Sequence, residues 1–180
     1  IGIVLTELFG VPVDPEVAQA VKDTGRMLES MGHHVDVAEA DFGGIATLHK
    51  INDLFFFGFD GRLEGYAKKT GQKIGPDTLE PVMLSIYEFA KSITPARFFA
   101  ALSEVNVARR KLARFYTDHD VWLSPTTARV AEPWGKYHLS KAGVDSSNLV
   151  EKLFKEPCQF TVPHNIMGTP AISLPLAMHS

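Results

Sequence analysis

With 180 residues, the chain is long enough for one domain with a sizeable core, or for a large piece of a bigger one. Its apolar share of 45% and charged share of 22% are those of a globular protein and exclude a disordered or fibrous one. A net charge of −3 with scattered Lys and Arg leaves no footprint for a nucleic-acid partner, because Arg109-Arg110-Lys111 sits in a helical pattern that also carries Glu104.

In chain order, the apolar run Ile1–Leu5 reads as a buried strand near residues 1–6. Asp14 then supplies an N-cap and Pro15 a first helical residue. Val17, Val21, Thr24, Leu28 and Met31 follow at helical spacing, so a helix is predicted over 15–31, with Gly32 as its stop. His33 to Val37 returns as a strand near 34–38. Strand, helix and strand in this order make a βαβ unit with parallel strands and a right-handed crossover.

The middle is mainly helical, with an insert spanning about 45–117. Ile45, Leu48, Ile51, Phe55 and Phe59 predict a helix over 45–66. A polar turn near 68–76 follows, and Leu79, Met83, Ile86 and Phe89 predict a helix over 79–91. Thr94-Pro95 opens another over 95–117, carrying Phe98, Leu102, Val105, Leu112 and Phe115. Asp120 to Thr126 predicts a strand near 121–124, ended by Pro125. Residues 129–148 read as a long surface loop, of the kind that is often functional. Cys158 to Asn165 reads as irregular chain entering a tight turn at Gly168, then a buried strand near 171–175. The fold class is α/β, a mixed sheet flanked by helices on both faces. Both ends read as strands, which predicts a truncated product. The edges left by Ile1–Leu5 and Ile172–Leu176 then predict self-association into a homo-oligomer.

The single cysteine, Cys158, excludes an internal disulfide and fits a reducing, cytoplasmic setting. No apolar run reaches the roughly 18–20 residues of a bilayer span, so no membrane partner is expected. His33-His34 with Asp36 and Glu39 hint at a metal cluster, but alternation along a strand separates the two imidazoles. Ser146-Ser147 lack a glycine nest and read as polar loop residues. Phe55-Phe56-Phe57 cannot share one helix face, and the outward rings are candidates for covering a pocket or partner. No cofactor and no metal are called for.

The end of the chain carries the most specific pattern. Asn165, Gly168, Pro170, Ala171 and Pro175 match F-N-x-x-G-x-P-A-x-x-x-P, the C-terminal hallmark of amidase signature hydrolases, with His164 in place of the aromatic. Upstream, Ile1-Gly-Ile-Val, Val13-Asp-Pro-Glu-Val17, Met31-Gly-His-His-Val35 and Asp120-Val-Trp-Leu-Ser-Pro-Thr126 resemble, in the same order, further segments of that family. The Phe160-Thr-Val-Pro163 run resembles one branch of its bacterial amidases.

The resemblance implies hydrolysis of a C–N amide bond in a small molecule through a Ser acyl-enzyme, without metal or cofactor. It also implies that the Ser–Ser–Lys triad lies in a Gly/Ser-rich segment, and residues 1–180 hold no such segment. The chain is therefore expected to be the C-terminal, substrate-side portion, inactive alone, whose partner is the catalytic N-terminal portion of the same protein. By the same resemblance Cys158, Thr161 and His164 would line the substrate pocket, and no catalytic residue is assigned. The rival reading is a non-enzymatic α/β small-molecule binding module.

Overall fold

The computed structural model describes residues 1–178. Among these, three short strands form one parallel sheet: β1 (Gly2–Ile3), β2 (Asp36–Val37) and β3 (Trp122–Leu123), in the order β2-β1-β3. Gly2 registers with Asp36 on one side and Trp122 on the other. Hydrogen bonding runs past these pairs, from Asp36 N–H to the Ile1 carbonyl (3.1 Å) and from Val4 N–H to the Leu123 carbonyl (2.8 Å). Both rows of β1 backbone groups are thus taken. This corrects the expectation that Ile1–Leu5 is an exposed edge, because the edges are β2 and β3.

Helix α1 (Pro15–Ser30) joins β1 to β2, and it starts where the cap chemistry dictates. Asp14 Oδ1 accepts from the Glu16 N–H at 2.8 Å, and Pro15 opens the first turn. Neighbouring strand residues face opposite ways. A Cβ on Gly25 of α1 would stand 2.6 Å from Ile3 Cδ1, whereas a Cβ on Gly2 would stand 2.7 Å from the Phe115 ring. Helices therefore cover both faces of the sheet, α1 on one and the Phe115 region on the other.

The helical insert is more broken than its periodicity predicts. The 45–66 stripe divides into α2 (Gly44–Phe56) and α3 (Phe59–Thr70). Gly58 between them has φ 74°, a left-handed conformation that ends one helix and starts the next. Helix α4 (Pro81–Lys91) follows, and α5 (Pro95–Ala113) begins with Thr94 Oγ1 accepting from the Arg97 N–H at 3.3 Å. A further break at Arg114 leaves the short α6 (Phe115–Asp118). Helices α2 and α5 are pinned by a two-pronged ion pair, Arg97 Nε and Nη2 to Asp53 at 2.8 and 2.7 Å.

The principal core lies where the connections leaving the three strands converge. Leu8, Phe9 and Val11 after β1, Ala40 and Phe42 after β2, and Ala128 after β3 share one buried cluster with Leu48, Ile51, Val105, Leu112 and Phe160. A second cluster, of Val82, Ile86, Val144, Leu149 and Leu153, backs α4.

The C-terminal region departs most from its reading. Residues 150–154 form a π-helical turn, and Val162–Met167 form α7 instead of irregular chain. The buried strand expected near 171–175 is absent. Residues 170–178 are exposed and carry no ladder; Ile172 is 81% exposed. A strand needs a partner with free backbone groups, and among the described residues the tail is tied to the rest of the fold by a side-chain bond, Thr126 Oγ1 to Ser173 Oγ at 2.9 Å.

Candidate functional site

Helix α7 organises the candidate site. The chain enters it through a helical turn, with Val162 N–H donating to the Cys158 carbonyl at 3.0 Å and Asn165 N–H to the Thr161 carbonyl at 3.3 Å. At 3.6 residues per turn, Cys158, Thr161, His164, Asn165 and Gly168 fall within an arc of roughly 120°. Phe160, Pro163, Ile166 and Met167 fall on the opposite side and are buried. On this wheel Cys158, one turn before α7, falls on the same side as Thr161, His164 and Asn165; Thr161 and Asn165 are exposed, whereas Cys158 and His164 are half-buried. Gly168 ends the helix with φ 72°, and its N–H donates to the His164 carbonyl at 2.9 Å. A left-handed C-terminal cap explains why glycine is needed here. Arg109 Nη2 donates to the Met167 carbonyl at 2.9 Å, placing a cation at the helix C-terminus.

Each side chain has its own surroundings. Cys158 is half-buried, and burial pushes its thiol above the ordinary value, with the Thr161 hydroxyl acting weakly the other way. A thiol kept protonated at neutral pH is a poor nucleophile. His164 is also half-buried, and burial lowers its pKa, so the neutral ring is favoured. Its Nδ1 lies 3.1 Å from Thr169 Oγ1, and its ring meets Trp122 edge-on at 5.0 Å. The imidazole is therefore held by Thr169 and Trp122, not by Cys158, and no thiol–imidazole pair forms. Thr161 is exposed and donates to the Cys158 carbonyl at 3.4 Å.

Two polar residues that the sequence reading missed hold this region in place. Gln159 is fully buried, with Nε2 donating to the Val11 carbonyl at 2.9 Å and Oε1 accepting from the Phe9 N–H at 3.4 Å. Glu156 receives Arg129, Lys136 and Tyr137. A Gln between Cys158 and Phe160 was the available signal, since an amide inside an apolar run must find partners if buried.

The remaining candidates resolve as structural. Ser147 N–H and Oγ both donate to Asp145 Oδ1, at 2.8 and 2.5 Å, and Asp145 N–H donates to Asn148 Oδ1 at 3.1 Å. That reciprocal cap starts the 149–154 helical stretch. Ser146 pairs with Ser85, Oγ to Oγ, at 2.9 Å. His33 and His34 are exposed beside a surface hollow of about 340 Å³, where His119 Nε2 meets Asp36 Oδ1 at 2.9 Å. Among the described residues no group of three or more His, Cys, Asp or Glu is placed to hold a metal ion. A second hollow of about 170 Å³ lies between α2 and α5 around Thr47 and Lys111. Neither hollow includes Cys158, Thr161 or His164 among its lining residues. No helix among the described residues is long and apolar enough to cross a membrane.

A family profile described as Amidase matches residues 1–180. The chain belongs to the amidase family. Amidase relatives of known name include the 6-aminohexanoate-cyclic-dimer hydrolase of Paenarthrobacter ureafaciens, 27% identical over 173 residues that cover 93% of this chain and 35% of that protein. The hydrolase of the same name from Pseudomonas sp. (strain NK87) is likewise 27% identical over 173 residues, covering 93% of this chain and 35% of that protein. A solved structure of 6-aminohexanoate cyclic dimer hydrolase superposes with a TM-score of 0.86 at 25% identity, over 99% of this amidase chain and 38% of the other. Its substrate complex gives 0.85 at 24% identity. The amidase chain thus spans little more than a third of the length of these relatives.

Proposed function

We propose that this chain is the substrate-side, C-terminal portion of an amidase that hydrolyses a C–N amide bond in a small molecule through a Ser acyl-enzyme. The Ser–Ser–Lys apparatus would be supplied by an N-terminal portion of the same protein, with no metal or cofactor, in the cytoplasm. The observation that carries this reading is the outward face of α7. Thr161, His164 and Asn165 lie opposite the buried Pro163, Ile166 and Met167, and Cys158 precedes them by one helical turn. A polar, half-open face suits one wall of a pocket closed by a second surface.

In this arrangement the wall binds and orients the substrate. Burial keeps the Cys158 thiol protonated and the His164 ring neutral, so neither of these two side chains adds a charge next to the amide. Asn165 offers an exposed amide as donor and acceptor. The nucleophile, the base and the oxyanion donors belong to the other portion.

The test is to join the 180-residue chain to its upstream coding sequence and follow amine release from a panel of aliphatic and aryl amides. The joined protein is expected to turn over at least one amide, the chain alone none. Thr161→Trp in the joined protein is expected to change the order of amides accepted. Turnover by the chain alone, abolished by Ser146→Ala, would place the nucleophile here and overturn the reading. Unchanged selectivity in Thr161→Trp would remove α7 from the pocket.

A further inference from the structure

Residues 129–148 contain no regular element, yet their first half is tied down by one carboxylate. Arg129 Nε donates to Glu156 Oε1 at 3.0 Å. Tyr137 Oη and Lys136 Nζ donate to Glu156 Oε2 at 2.8 and 2.9 Å. Lys136 Nζ also reaches Glu132 Oε1 at 2.6 Å, closing the segment on itself. The Tyr137 ring packs on the second core cluster, and Ala128 anchors the start of the segment in the first. Trp134, at the tip of the turn, is 93% exposed.

This differs from an ordinary surface ion pair. A lone exposed pair contributes little. Here three donors from one segment meet a single, 24% exposed carboxylate. Burial opposes the ionisation of Glu156, but the bonds from Lys136 and Tyr137 outweigh it and hold its pKa below the usual value. Lys136, set between two carboxylates, is raised.

Position gives the clamp its consequence. Cys158 follows Glu156 by two residues and Gln159 by three. Gln159 fastens the same turn to Phe9 and Val11. The turn that leads onto the outward face of α7 is thus gripped by segment 129–137 through Glu156 and by segment 9–11 through Gln159.

We propose that Glu156 is a positioning residue that locks segment 129–137 to the turn bearing Cys158, so that order in that segment sets access to the Cys158–His164 face. The functional meaning rests on that face being a pocket wall, whereas the mechanical coupling does not. If the coupling holds and Thr161→Trp leaves selectivity unchanged, the wall reading fails and the clamp stands.

The test uses the 180-residue chain, with two readouts. One is the alkylation rate of Cys158 by iodoacetamide. The other is hydrogen exchange at the turn amides of Lys136, His138 and Lys141, with α1 and α5 as internal references. In Glu156→Gln both rates are expected to rise about tenfold, as loss of charge-assisted hydrogen bonds would give, while α1 and α5 are unchanged. Glu156→Asp should restore part of the protection. If Glu156→Gln does not fold, Tyr137→Phe and Lys136→Met each remove one bond and should raise both rates together by a smaller factor. A rise in turn exchange without a rise in Cys158 alkylation overturns the coupling. Both rates within twofold of the parent, in a folded variant, overturn the clamp.

Discussion

Replacing Gln159 with methionine keeps the length of the side chain and removes its amide. Val11 then loses the partner of its carbonyl, a bond of 2.9 Å, and Phe9 loses the longer bond to its N–H, 3.4 Å. Both residues are buried, at 8% and 2% exposure, so water does not readily replace the amide. A buried backbone group left unpaired costs about 1–3 kcal/mol. We assign about 2 kcal/mol to the well-formed bond and about 1 kcal/mol to the long one. The apolar methionine end returns about 1 kcal/mol through burial. The net expected loss is about 2 kcal/mol, a large part of the ~5–15 kcal/mol by which domains are stable. Urea unfolding at 25 °C measures it. With a slope near ~2 kcal/mol per M, the midpoint should fall by about 1 M. Repeating the measurement at two protein concentrations separates association from folding. A midpoint within ~0.2 M of the parent at equal slope would refute the reasoning, because it would mean that water or a shifted backbone satisfies Phe9 and Val11.

Gly2→Ala should destabilise by about 1–3 kcal/mol, read by thermal unfolding. The added carbon meets the Phe115 ring at 2.7 Å and Ala38 Cβ at 2.9 Å in the middle of the sheet. His164, lowered by burial from its ordinary value of 6.5, should contribute stability that is complete above that value and is lost as pH falls through the folded-state pKa. His164→Phe should flatten the acid side of the stability profile, and an unchanged slope there would contradict this. The exposed tail bearing Ile172, Leu174 and Leu176 should drive concentration-dependent association. Sedimentation should show it weakened in Ile172→Lys/Leu174→Lys, and a parent chain monomeric at all concentrations would count against it.

Features written in a few neighbouring residues were legible without coordinates. Asp14-Pro15 and Thr94-Pro95 open α1 and α5 as expected, because an N-cap is chemistry between residues two or three apart. The order of short segments from Ile1 to Pro175 sufficed for family membership, since it needs no partner in space. Tertiary structure decided what depended on distant partners. The same apolar run Ile1–Leu5 could have been an edge or a centre, and β2 and β3 made it the centre. The equally strand-like Ile172–Leu176 found no ladder and stayed exposed. Periodicity ran through Gly58, where a left-handed backbone turned one helix into two. The irregular chain expected from Cys158 to Asn165 became α7 over Val162–Met167, which decided how Thr161 and His164 are presented. The role of Gln159 was not legible, because its hydrogen-bond partner Val11 lies 148 residues away. Hydrophobic pattern and caps act locally, whereas the pairing of a buried amide, a strand edge or a carboxylate depends on which distant backbone the fold brings alongside.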